Sequence, residues 1–287
     1  MPEGHTLHRL AGELGDAFAG RRVRVGSPQG RFATEAAQLD GAVLEHAEAW
    51  GKHLFLDLGA DRLVHVHLGL YGKLDVRRTD PGEPVPDPVG EVRLRLVTAG
   101  PDPDGTTAYA DLRGATACEL LTGAGRDAVV DRLGPDPLRD DADPDRAWAR
   151  LSRSRTSIAA LLMDQKVLAG VGNVYRAEVL FRHRLDPYRA GTTLRRGRFD
   201  ELWADLGVLM REGVRTGRID TVRPEHTPEA MGRPPRVDDH GGEVYVYRRH
   251  GQACLVCGAT VRSADLVQRT LYWCGRCQRP FRPRGVQ

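Results

Sequence analysis

Four of the chain's five cysteines fall into two Cys-x2-Cys pairs, Cys254 with Cys257 and Cys274 with Cys277, with sixteen residues between the pairs. Thiolates at this spacing form two tight knuckles that close a tetrahedral site around Zn2+, and in a cytosolic chain paired disulfides are the poorer reading. Four thiolates leave no coordination position open to substrate, so one structural Zn2+ is expected. Between the pairs, "VRSADLVQRTLYW" alternates as a short hairpin does. The fifth cysteine, Cys118, reads as a small buried apolar residue.

Other residues are suited to an anion. Asn173 follows the glycine turn of "AGVGN" and stands where a helix begins. Unpaired backbone N–H groups and the helix dipole favour a phosphate there, and an ordinary N-cap is the competing reading. In "WGKHLF", Lys52 starts a strand behind a glycine, a common place for a solvated edge residue. In "HVHLGLYGKL", Leu70 and Tyr71 lie between glycines at an expected hairpin tip. Apolar side chains at such a tip act as a wedge between bases or pack on a neighbouring domain. His65 and His67 share a strand face but lack a third ligand nearby.

The elements that position these residues change character along the chain. "HTLHRLAGELGDAFAG" places Leu7, Leu10, Leu14 and Phe18 at helical spacing, with Gly20 as its stop. Residues 20–120 alternate with period two in "RRVRVGS", "HLFLDL", "RLVHVHLGL" and "VRLRLV", which predicts a mainly antiparallel sandwich or barrel. The proline- and aspartate-rich stretch at 132–148 marks a boundary, and the period then becomes helical. "SIAALLMDQ" predicts an apolar helix capped by Thr156 or Ser157, followed by a glycine turn and a second helix over "NVYRAEVLFRHRLDP". "RFDELWADLGVLMREGVRTG" predicts another, and 220–243 reads as a long mobile loop or linker.

With 287 residues, 40% hydrophobic and 28% charged, the chain suits two or three globular units. No apolar run is long enough to span a bilayer and no secretory leader is evident, so a cytoplasmic location is expected. The net charge of +3 conceals an asymmetry: Arg150–Arg189 carries +5 and 244–287 carries +7, so the remainder is acidic. Two basic blocks fit two contact surfaces for a polyanion, or simply solvated faces.

Taken together, "MPEG", "GKHLF", "HLGLYG", "RLGPDPL", "LLMDQKVLAGVGNVYRAEVLFRHRLDP" and "QRTLYWCGRCQ" resemble, in order and over nearly the full chain, the Fpg/Nei family of bifunctional DNA glycosylases. The resemblance implies an α+β multidomain fold: an N-terminal β-sandwich with flanking helices over 1–128, a helix-two-turn-helix domain over 129–220, a flexible linker over 221–243 and a C-terminal four-cysteine zinc finger over 244–287. It implies damaged double-stranded DNA as partner, lying between the two halves, and a monomer associated with the nucleoid.

It also implies roles. Methionine removal exposes Pro2, whose secondary amine attacks C1′ of the deoxyribose and forms a Schiff base; Glu3 protonates the opening sugar. Lys52 matches the lysine serving base loss and elimination. Arg269 matches the zinc-finger arginine that clamps phosphate and assists the second elimination. Asn173 matches the phosphate-binding asparagine, and Arg132 a DNA-contacting arginine. Gly69, Leu70 and Tyr71 correspond to the tip that enters the duplex. The Leu-Tyr tip, and Arg113-Gly114-Ala115 without a phenylalanine, resemble the endonuclease VIII branch of actinobacterial type, which favours oxidised pyrimidines. An Fpg-type 8-oxoguanine glycosylase and a non-catalytic DNA-binding zinc protein of the same fold are the alternatives. The chain departs from the family at "PEGHT", where His5 and Thr6 replace a proline and a glutamate, and at Gly69, where the type enzyme has glutamine.

Overall fold

The computed structural model describes residues 2–237 and 242–282. The chain divides into two compact units, one ending at Arg132 and the other beginning at Leu133.

In the first unit α1 (Gly4–Phe18) buries Leu7, Leu10, Leu14 and Phe18 along one stripe. There follow β1 (Arg21–Gly26), α2 (Ala33–Leu39), β2 (Val43–Leu44), β3 (His46–Trp50), β4 (His53–Asp57) and β5 (Leu63–His67). Then come β6 (Lys73–Arg78), β7 (Val92–Thr98), β8 (Ala108–Arg113), β9 (Ala117–Leu121) and α3 (Gly123–Val130). The strands make two antiparallel sheets, ordered β2-β1-β7-β8-β6 and β3-β4-β5-β9. Val23, Leu94, Leu96 and Leu112 of one and Leu54, Leu56, Val64 and Val66 of the other share a core with α1. That resolves the sandwich-or-barrel alternative in favour of the β-sandwich.

Two local expectations are corrected. Lys52 does not begin a strand: Trp50 pairs with His53, so Gly51 and Lys52 are the whole turn between β3 and β4. Gly51 sits at φ +59°, a conformation glycine adopts without strain. Nor do Leu70 and Tyr71 cap a hairpin, because β5 and β6 belong to different sheets. Residues 68–72 cross between the sheets, pinned by the Gly72 N–H donating to the Leu68 carbonyl at 3.0 Å.

The second unit opens with α4 (Pro144–Leu151), capped by the Asp143 carboxylate. The helix expected over 157–165 is a single turn, α5 (Ile158–Leu161), and the Ser157 hydroxyl makes no cap bond. Gln165 accounts for the early end. Its amide donates to the Met163 and Val171 carbonyls and accepts from the Gly170 N–H, folding the chain into turns before α6 (Asn173–Arg182). Next is α7 (Arg196–Thr216), ended by Gly217 in the left-handed conformation. In the stretch read as a linker, a 3-10 turn at Pro224–His226 precedes α8 (Pro228–Met231), and Arg233 pairs with Glu243 at 2.6 Å. Residues 238–241 of that stretch lie outside the described residues. The unit closes with the antiparallel hairpin β10 (Arg262–Leu266) and β11 (Arg269–Trp273).

Candidate nucleic-acid interface and metal centre

In the first unit Pro2 is half-buried and Glu3 fully buried at the N-cap of α1, where the Glu3 carbonyl accepts the Thr6 N–H at 2.9 Å. A carboxylate at that end of a helix is favoured by the helix dipole. His5, in the first turn, is also buried; burial above all, with smaller contributions from neighbouring positive charge that include Arg9, lowers its pKa to about 4. α1 packs along β3 and β4, the strands joined by the Gly51–Lys52 turn.

Next to Lys52, a polar array crosses the outer face of the four-stranded sheet. The register sets His53 opposite His67, Phe55 opposite His65, and His65 opposite Glu119. His53 Nδ1 lies 2.8 Å from His65 Nε2, and His65 Nδ1 lies 2.8 Å from Glu119 Oε1. The His53 and His65 rings stack at 5.1 Å, with Phe55 against the other side of His65. α3 packs on β5 and β9, placing Val129 against Phe55 and Leu63, so β5 is buried on both faces. Burial foremost, then His65, His67, Arg132 and Lys52, holds His53 down to about 3. His67 is likewise lowered, by burial and then by His65 and Lys52. Two residues singled out from the sequence, Lys52 and Arg132, therefore act electrostatically on one imidazole.

At the crossover, Tyr71 is 90% exposed and Leu70 40%. Gly69 has φ +69°, and a Cβ there would stand 1.9 Å from Thr116 Oγ1; one on Gly114 would approach the Tyr71 carbonyl at 3.4 Å. The Leu70–Tyr71 tip thus rests on the 114–116 turn, and glycine at 69 is a steric requirement.

In the second unit Asn173 is the first residue of α6, with Gly172 as the N-cap, so the N-cap reading of Asn173 fails. Its amide donates to the Thr270 carbonyl at 3.0 Å and accepts from Arg176. That bond ties the α6 N-terminus to the residue after Arg269, whose side chain is exposed at the start of β11. The preceding turn, Val267–Gln268, holds φ values of +50° and +56°.

The four cysteine sulfurs lie within 4.8 Å of one another, with Cys254 and Cys277 at 3.9 Å and Cys257 and Cys274 at 3.5 Å. Tetrahedral zinc with Zn–S bonds of about 2.3 Å spaces its sulfurs about 3.8 Å apart, so the donor set fits one structural Zn2+. Among the described residues no other group of metal-ligating side chains comes together in this way. Cys118 is buried and its thiol is pushed up to about 12 by burial, consistent with an inert core residue.

Residues 1–118 match the formamidopyrimidine-DNA glycosylase N-terminal domain, 133–224 the H2TH domain of the same enzymes, and 251–280 the zinc finger found in FPG and IleRS. Endonuclease 8 1 of Mycobacterium tuberculosis is 51% identical over 280 residues, covering 97% of this chain and 100% of that protein. The chain belongs to the formamidopyrimidine-DNA glycosylase and endonuclease 8 family. Another relative, the formamidopyrimidine-DNA glycosylase of Symbiobacterium thermophilum, is 33% identical across 100% of this chain and 90% of its own. The fold is that of Lactococcus lactis Fpg, solved in complex with an abasic site containing DNA, at a TM-score of 0.74, with 22% identity over 97% of this chain and 100% of that one. No described helix of this family member is long and apolar enough to cross a membrane.

Three polar devices are not legible in the sequence pattern. One is the histidine array. Another is Gln165. The third is Glu178, fully buried on α6, whose carboxylate accepts the N–H groups of Tyr245, Val246 and Tyr247 at 2.7–2.8 Å and the Thr221 hydroxyl at 2.6 Å. A carboxylate inside an apolar helical pattern was the available signal, since such a group is buried only when fully bonded.

Proposed function

We propose that the chain is a bifunctional DNA glycosylase and AP lyase of base excision repair that favours oxidised pyrimidines. The observation carrying the reaction is Glu3, buried at the α1 N-terminus directly behind Pro2. With methionine removed, the Pro2 amine attacks C1′, the damaged base departs with a proton, and an iminium joins Pro2 to the sugar. Glu3 protonates the ring oxygen as the sugar opens. Loss of the C2′ proton then expels the 3′ phosphate, and a second elimination expels the 5′ phosphate, leaving a one-nucleotide gap with phosphate at both ends. Lys52 moves protons in base loss and elimination, and Arg269 assists the second elimination while clamping phosphate. Asn173 and Arg132 contact the DNA backbone. The enzyme acts as a monomer on damaged duplex DNA in the cytoplasm, at the nucleoid.

The pyrimidine preference rests on the tip. A base is reached only after leaving the stack, and the exposed Leu70–Tyr71 pair is suited to filling the void. Duplexes carrying thymine glycol or 8-oxoguanine opposite cytosine, offered in competition, test this reading. Preferential cutting of thymine glycol is expected; preference for 8-oxoguanine would make the enzyme Fpg-type.

A further inference from the structure

The Glu119–His65–His53 array has a direction. An ionised carboxylate only accepts hydrogen bonds, so His65 Nδ1 carries the proton shared with Glu119 at 2.8 Å. His65 Nε2 is then an acceptor, and His53 Nδ1 donates to it across 2.8 Å. The remaining nitrogen, His53 Nε2, is left with a lone pair. Glu119, at the outer end, has a side chain 52% exposed to solvent; His65, in the middle, is only 5% exposed. At the inner end His53 directly follows Lys52 in the chain, and the lysine's charge acts on both His53 and His67.

We propose that Glu119, His65 and His53 form a proton path between Lys52 and solvent. The proposal rests on the proton-moving role given to Lys52 above. In the outward direction the Lys52 ammonium gives a proton to His53 Nε2 as the His53 Nδ1–H bond breaks and His65 Nε2–H forms. His65 Nδ1–H breaks as an O–H forms on Glu119, and water takes that proton. Each ring accepts one proton and gives one, so neither becomes a cation, which matters because burial disfavours an imidazolium at His53. The flipped tautomers then run the reverse sequence and return a proton to the Lys52 amine. His53 and His65 are carriers; Glu119 acts through them and touches no substrate.

Glu119→Gln tests the path, because the amide oxygen still accepts the His65 N–H but cannot take up the proton. The single-turnover rate of strand cleavage is expected to fall roughly ten- to a hundredfold, up to the lower end of general acid–base effects, because Glu119 acts only through the two histidines. Added imidazole buffer should restore it while leaving the wild-type rate unchanged, and the melting temperature should not move. A variant that cuts at the wild-type rate, or one whose slow rate imidazole does not raise, overturns the path while wild-type protein still forms a borohydride-trapped adduct with abasic DNA. Wild-type protein that forms no adduct overturns the underlying reaction, and the path with it.

Discussion

His5, His53 and His67 are neutral in the folded first unit because burial disfavours their charged forms. In the unfolded chain each titrates near 6.5. Between that value and the folded one the unfolded state binds more protons, so stability is complete above about pH 6.5 and drains away as pH falls. The melting temperature is expected to be flat from pH 8 to 7 and to fall between about pH 6.5 and 4. His53→Gln should make the fall shallower, and a parallel fall in wild type and variant would contradict the assignment. At this scale the sequence was uneven to read. The cysteine ligands were legible because their spacing is local. The face shared by His65 and His67 was legible from strand alternation, but their bonding was not, since Glu119 lies on a strand 54 residues away from His65.

At the scale of elements, Glu178 does what periodicity does not record. It stands on α6 and gathers three backbone N–H groups from 245–247, a segment without regular structure of its own. Removing the carboxylate leaves those donors buried and unbonded, so Glu178→Ala should cost about 3–5 kcal/mol. Unfolding followed by tryptophan fluorescence reads this, since Trp148, Trp203 and Trp273 all belong to the second unit. An unchanged transition would show that the segment is held by other means. The same gap between local pattern and tertiary partner explains the misread elements. Residues 68–72 look like a hairpin tip because the flanking strands are adjacent in sequence, yet each pairs in a different sheet. α5 ends early because the Gln165 side chain, not helical propensity, decides where the chain turns.

For the whole molecule, the order of sheet, helix-turn-helix and zinc hairpin was legible, because each changes the hydrophobic period or supplies a metal signature. Among the described apolar residues of the zinc finger at 251–280 only Val261, Leu271, Cys254 and Cys274 are buried, so zinc supplies much of its folding energy. Chelation or Cys274→Ser is expected to remove metal and duplex binding together; full binding by metal-stripped protein would contradict this. Arg269→Ala leaves the hairpin intact, and should weaken binding across sequences while lowering the slope of log affinity against log salt by about 0.9, the value of one phosphate contact. An unaltered slope would remove Arg269 from the phosphate contacts.

The proposed reaction depends above all on the Pro2 amine becoming covalently joined to the sugar. Borohydride reduction of the processed protein with an oligonucleotide carrying an abasic site tests it most directly. A stable protein–DNA adduct through residue 2 is expected, and it should disappear when an N-terminal extension blocks the amine. No adduct, or undiminished trapping with the amine blocked, would contradict it.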